Sequence, residues 1–240
     1  MKIDSEKCIS CLECLDYCPV GAIVEDAESV MISQDECVEC GVCLRASVCP
    51  VDAIYMPAES KTYPRSIRAE LSDPGVQIPK LRQGGRGTEE MKTNDVTGRY
   101  RRGEFGMTLE FGRPGTGTRI AEIEKITKTL CAMGIQIEEA NPVFYFIADQ
   151  KTGQMKPEVL NEKVLSAILE FKIKEDKLVE VVNALTPALE KVNTVVSWGL
   201  ISRVAEDGTI PVLSRLKDLK LTARPNAKIN LGLGRPIVEE

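Results

Sequence analysis

Cys8-Ile9-Ser10-Cys11-Leu12-Glu13-Cys14-Leu15-Asp16-Tyr17-Cys18-Pro19 is the stretch that decides how this chain begins to fold. A near-copy follows: Cys37-Val38-Glu39-Cys40-Gly41-Val42-Cys43-Leu44-Arg45-Ala46-Ser47-Val48-Cys49-Pro50. Together the two hold eight of the nine cysteines. Three thiolates spaced two residues apart can face one centre, because each short loop turns its sulfur inward. The next turn carries the fourth cysteine away, and the proline after it stops the chain from folding back. Both runs end alike, in Cys18-Pro19-Val20-Gly21-Ala22-Ile23 and Cys49-Pro50-Val51-Asp52-Ala53-Ile54, which reads as an internal duplication. They differ at one place. Three residues separate Cys14 from Cys18 and five separate Cys43 from Cys49, so the extra pair is expected to bulge as a longer turn.

This pattern resembles that of the bacterial-type ferredoxins that carry two [4Fe-4S] clusters, over about residues 1–56. The resemblance implies that Cys8, Cys11, Cys14 and Cys49 hold one cluster and Cys18, Cys37, Cys40 and Cys43 the other, the fourth ligand of each run crossing over. It also implies a low-potential carrier that passes single electrons to or from an associated oxidoreductase. The longer spacing before Cys49 keeps the ligand count and bears on the hydrogen bonds to sulfur that tune a cluster. The competing readings are one cluster beside a degenerate site, structural zinc, and disulfides. Triplets of cysteine followed by Cys-Pro suit a tetrahedral zinc site poorly. A disulfide framework belongs to secreted domains, and Met1 to Lys7 shows no apolar run of a signal peptide.

Length and charge set further bounds. The 240 residues allow that module plus one ordinary domain. No apolar run approaches the roughly 20 residues that cross a bilayer, and thiolate-held clusters suit a reducing compartment, so a soluble cytoplasmic protein is expected. The chain has no His, which removes Rieske centres, His-ligated haem and the commonest general base. Net charge is -5, unevenly spread. Residues 1–56 carry three Lys/Arg against eleven Asp/Glu, residues 57–103 ten against six, and the remainder 18 against 19. The acidic first module can steer a basic redox partner or simply favour solubility. An acidic chain with few aromatics is not expected to bind nucleic acid.

Between the cysteine runs, Ala22-Ile23-Val24 and Val30-Met31-Ile32 flank an acidic turn and read as a hairpin over the clusters. Residues 57–103 show no helical or strand period and carry Pro57, Pro64, Pro74 and Pro79. With Ile67, Leu71, Val76, Ile78 and Leu81, they read as an extended basic arm lying on its own protein or on a partner. Gly84-Gly85-Arg86-Gly87 and Arg99 to Arg102 would bind an anion or an acidic surface, or neutralise the first module.

A third region spans residues 104–205. Phe105, Met107, Leu109 and Phe111 alternate with Gly106, Thr108 and Glu110, the period of a strand with one buried face. Ile120, Ile123, Ile126 and Leu130 line a helix that ends at Gly134; Val143 to Ala148 reads as a second strand. Ala167 to Ile173 gives a third strand, Leu178 to Leu189 a helix interrupted by Pro187, and Val195 to Val204 the last strand. The fold class is therefore α+β, with a βαββαβ sandwich after the cysteine module and arm. The layout resembles ACT-like, split-βαβ domains, which implies a small-molecule site at the Gly115–Gly117 turn beside Arg119 and leaves a homo-oligomer open. Cys131 reads as a small buried hydrophobe and Trp198 as core. Residues 206–240 form an extension with a short helix around Leu213, Leu216 and Leu219.

Two functions from different classes fit: the electron carrier, with the second domain for docking or oligomerisation, and a redox-linked regulatory module that senses a ligand through the ACT-like domain. A complete reductase with substrate at the basic arm is a third reading, without any dinucleotide fingerprint.

Overall fold

The computed structural model describes residues 1–26, 29–78, 83–84 and 98–222. Gly85 to Gly87 and the part of the C-terminal extension beyond residue 222 lie outside the described residues.

The cysteine module is built on two short antiparallel pairs. They are β1 (Lys2–Ile3) with β4 (Ile54–Tyr55), and the hairpin of β2 (Ile23–Asp26) with β3 (Ser29–Ile32). In β3, Val30 and Ile32 point inward and Ser29 and Met31 outward, the two-residue period of a half-buried strand. Met1, Ala22, Ile23, Val30, Ile32 and Ile54 form a small core with Cys14, Cys37 and Cys43. A single helical turn, α1 (Val42–Arg45), occupies the longer spacing before Cys49. The duplication is visible in the backbone: Cys8 N–H donates to Asp4 O at 3.0 Å and Cys37 N–H to Ser33 O at 2.9 Å.

The arm is more ordered than its sequence suggests. It contains the two-turn helix α2 (Ser66–Ser72) and the paired strands β5 (Gln77–Ile78) and β6 (Gln83–Gly84). Ile67, Leu71 and Ile78 are buried in the core of the larger domain. A helix this short shows no period in sequence, and tertiary burial holds it.

The larger domain runs β7 (Glu104–Phe111), β8 (Thr118–Arg119), α3 (Ile120–Ala132), β9 (Ile147–Asp149), β10 (Gln154–Met155), β11 (Lys163–Val164), β12 (Ala167–Lys174), α4 (Leu178–Leu189), β13 (Val196–Ile201) and α5 (Val212–Asp218). Its sheet has the order β12-β7-β13, antiparallel throughout, with Leu109 opposite both Leu169 and Trp198. Phe105, Met107, Leu109 and Phe111 share one core with Ile120, Ile123, Ile126 and Leu130 of α3 and Leu178, Val181, Val182 and Leu185 of α4. Pro187 falls in the last turn of α4, which ends two residues later.

The expected second strand, Val143 to Ala148, is a correction. Pro142–Phe146 forms a 3-10 helix capped by the Asn141 side chain, which accepts from Val143 N–H at 2.9 Å. Only Ile147–Asp149 is extended, and it pairs with β10 outside the sheet. The Asn-Pro start outweighs the apolar run that suggested a strand. The place beside β12 holds one bridge, Ile137 opposite Phe171, so the sheet has three strands and a bridge rather than four strands.

Candidate metal centre

Two cavities in the cysteine module each gather four cysteines. The first is lined by Cys8, Cys11, Cys14 and Cys49 with Ile3, Val30 and Ile54; the second by Cys18, Cys37, Cys40 and Cys43 with Ile23, Ile32 and Val38. None of the nine cysteines is in a disulfide. Among the described residues, no three Cys, Asp or Glu side chains converge on a point that would hold a single metal ion. Sulfurs spread around an apolar cavity suit a polynuclear group, whereas zinc draws its four ligands to one centre.

The shared ending of the two runs has a local purpose. Gly21 N–H donates to Cys18 O at 3.2 Å and Asp52 N–H to Cys49 O at 3.3 Å, closing equivalent turns with Gly21 and Asp52 left-handed. Each turn aims the next amide at sulfur: Ala22 N–H to Cys18 Sγ at 3.0 Å and Ala53 N–H to Cys49 Sγ at 3.2 Å. Such donors stabilise negative charge on sulfur and, in a cluster, favour reduction. Burial works the other way on the free thiols. It raises those of Cys14, Cys40 and Cys43, the last to about 11 with the neighbouring Cys40, Cys37 and Cys18 adding. A metal that binds there must displace protons, and its positive charge is what would make these groups thiolates.

The sequence reading missed the arginines around the second cavity. Arg68 Nη1 donates to the carbonyls of Gln34 (3.0 Å), Asp35 (3.2 Å) and Cys37 (2.7 Å), and its Nε pairs with Glu162. Arg65 reaches Gln34 O at 3.0 Å and Glu39 at 2.6 Å; Arg45 reaches Cys40 O at 2.7 Å and Asp73 at 2.5 Å. Glu39 is fully buried. Burial pushes its carboxyl up, but the Met1 ammonium and Arg65 together hold it below the ordinary value. The signal was two arginines three residues apart, Arg65 just before α2 and Arg68 within it, straddling the apolar Ile67.

The Gly115–Gly117 turn closes on the cysteine module. A Cβ on Gly115 would lie 3.2 Å from Pro19 O, and one on Gly117 3.5 Å from Val20 Cγ1. Arg119 meets its anion within the chain, at Asp35 (2.7 Å) and Glu36 (2.9 Å), and Lys163 also pairs with Glu36. The turn expected to take a small molecule is thus a contact between the two halves. Of the arginines in the arm, Arg99 pairs with Glu138 and Arg102 lies 4.0 Å from Glu206, so neither reaches the cysteine module through these contacts. Cys131 lies in the larger core, where burial raises its thiol.

Comparison with known proteins agrees with this geometry. Residues 1–56 match the family model described as a 4Fe-4S dicluster domain. The ferredoxin of Mycolicibacterium smegmatis is 39% identical over 80 residues, covering 30% of this chain and 74% of that protein. The 7Fe ferredoxin of Hydrogenibacillus schlegelii is 40% identical over 65 residues, 25% of this chain and 81% of its own length. The pyruvate synthase subunit PorD of Methanothermobacter marburgensis is 44% identical over 57 residues, 24% of this chain and 64% of that protein. Through its N-terminal module the chain belongs to the bacterial-type ferredoxins, a family of iron-sulfur electron-transfer proteins. No solved structure matches the chain. Among the described residues, no helix is long and apolar enough to cross a membrane.

Proposed function

We propose that this protein is a one-electron carrier with two [4Fe-4S] clusters. Cys8, Cys11, Cys14 and Cys49 would ligate one, and Cys18, Cys37, Cys40 and Cys43 the other. The observation that carries this reading is the partition of eight free cysteines into two four-cysteine cavities, each drawing one ligand from the other copy of the duplication. The clusters supply the redox chemistry when bound. The chain supplies four sulfurs to each, amides aimed at Cys18 and Cys49, and apolar walls that limit water. A low-potential exchange with an oxidoreductase is supported by the relatives named as pyruvate synthase subunits. The larger domain, seated on the second cysteine loop, serves docking or oligomerisation. Anaerobic reductive titration tests the reading: about two electrons are taken up per chain, with paramagnetic signals of reduced clusters. A protein that takes up none contradicts it.

A second reading is favoured by one feature of the larger domain. The order β13-β7-β12, followed by the Ile137 bridge, supports the split-βαβ, ACT-like reading, with the second strand reduced to a single residue. The reduced strand leaves a groove lined by Met133, Ile135, Phe144, Phe171 and Lys172. In this reading the domain senses a small ligand there and the clusters report redox state. Amino acids or phosphorylated metabolites titrated against thermal stability test it, since a ligand of the folded state raises the midpoint.

A further inference from the structure

Four carbonyls of the second cysteine loop, those of Gln34, Asp35, Cys37 and Cys40, accept from three guanidiniums. Arg45 belongs to α1, Arg65 stands just before α2 and Arg68 lies within it. Each guanidinium reaches the loop with one nitrogen and a carboxylate with another. Arg45 sets Nη2 on Cys40 O (2.7 Å) and Nη1 on Asp73 (2.5 Å). Arg65 sets Nη1 on Gln34 O (3.0 Å) and Nη2 on Glu39 (2.6 Å). Arg68 sets Nη1 on Cys37 O (2.7 Å) and Nε on Glu162 of the larger domain.

These charges sit largely out of water. The side chains of Arg65, Arg68, Asp73 and Glu162 are 19%, 5%, 8% and 14% exposed, and that of Glu39 is fully buried. Neutral donors could hold the same carbonyls without the desolvation that buried ions cost. What full charges add is a field. Reduction places one more negative charge on a cluster, so a fixed cation beside its ligands favours the reduced form and a fixed anion opposes it.

We propose that Arg45, Arg65 and Arg68 raise the reduction potential of the cluster held by Cys18, Cys37, Cys40 and Cys43, and that Asp73 and Glu162 behind them trim that rise. Glu162 belongs to the larger domain, as do Arg119 and Lys163, which hold Asp35 and Glu36 of the same loop. The seating of that domain therefore sets the redox poise of one particular cluster. The proposal rests on the carrier reading. A reduced donor gives up one electron and the cluster takes it, with no bond made or broken.

The test is an anaerobic redox titration of cluster-loaded protein with dithionite, followed by paramagnetic resonance, which reads both midpoints. The signal that survives in Cys18→Ala identifies the first-run cluster. Arg45→Gln should lower the second-run midpoint, and Asp73→Asn and Glu162→Gln should raise it. Each shift is expected to be about three- to tenfold in the one-electron equilibrium, tenfold being ~59 mV. Arg45→Lys, which keeps the charge, should stay near the parent, and the first-run midpoint should stay fixed throughout. A loop that is merely loosened would not move in opposite directions for the arginine and the carboxylate variants. If Arg45→Gln loses its cluster, the two carboxylate variants decide, since both leave the arginines in place. Unmoved second-run midpoints, shifts of one sign in all variants, or equal shifts in the first-run cluster would overturn the proposal. Protein that accepts no electrons from dithionite overturns the carrier reading, and this proposal with it.

Discussion

Arg68 Nη1 lies 2.7 Å from the carbonyl oxygen of Cys37, with the guanidinium buried and its Nε paired to Glu162 of the larger domain. One side chain thus ties a cysteine loop to the domain that covers it. Removing it strands Glu162 and takes the donor from the carbonyls of Asp35 and Cys37, while Gln34 O keeps its bond from Arg65. Arg68→Ala is expected to cost about 3 kcal/mol or more in denaturant unfolding of the cluster-loaded protein. The cluster proposed at Cys37, Cys40 and Cys43 should be lost first. A cost below about 1 kcal/mol would mean that the clamp contributes little.

Cys18 lines the cavity of Cys37, Cys40 and Cys43, away from its neighbours in sequence. Cys18→Ala should therefore damage the cluster of the second run and spare that of Cys8, Cys11 and Cys14. Paramagnetic resonance of the reduced variant, with iron counted per chain, checks this. Loss confined to the first-run cluster would refute the crossing.

Asn141 is buried, caps the 3-10 helix at Val143 and donates from Nδ2 to the buried Glu170 at 2.9 Å. Asn141→Ala removes the cap and one donor from a carboxylate. Thermal unfolding is expected to show a loss of about 2 kcal/mol. Asn141→Asp, which cannot donate to Glu170, should be no better.

Glu70 on α2 gives a pH prediction. Burial raises its carboxyl above the ordinary 4.5, and the hydrogen bond from Ser66 opposes this only in part. The folded state then holds the proton more tightly than the unfolded chain does. Its contribution to stability is full below about pH 4.5 and is lost as the pH rises through the raised value. Glu70→Gln should be modestly more stable than the parent at neutral pH, with the difference vanishing below pH 4.5. A gain that persists at low pH would contradict the assignment.

What could be read from the sequence was whatever chemistry is local. Cys-x-x-Cys spacing and the Cys-Pro-Val-x-Ala ending fix loop and turn geometry within a few residues, and Phe105 to Phe111 shows its period without help from the rest of the fold. Val143 to Ala148 misled because the cap at Asn141-Pro142 lies upstream of the apolar run and decides its conformation. The arm misled for the opposite reason: α2 has too few residues for a period and is held by Ile67 and Leu71 in a core assembled from distant segments. Sequence alone marks Arg119 as a ligand anchor because it does not place Asp35 and Glu36 beside it.

The most direct measurement is the iron, acid-labile sulfide and zinc content of protein prepared without air. The proposed pair of [4Fe-4S] clusters predicts about eight irons and eight sulfides per chain, with no zinc. About four irons or fewer, or zinc in their place, would contradict the account.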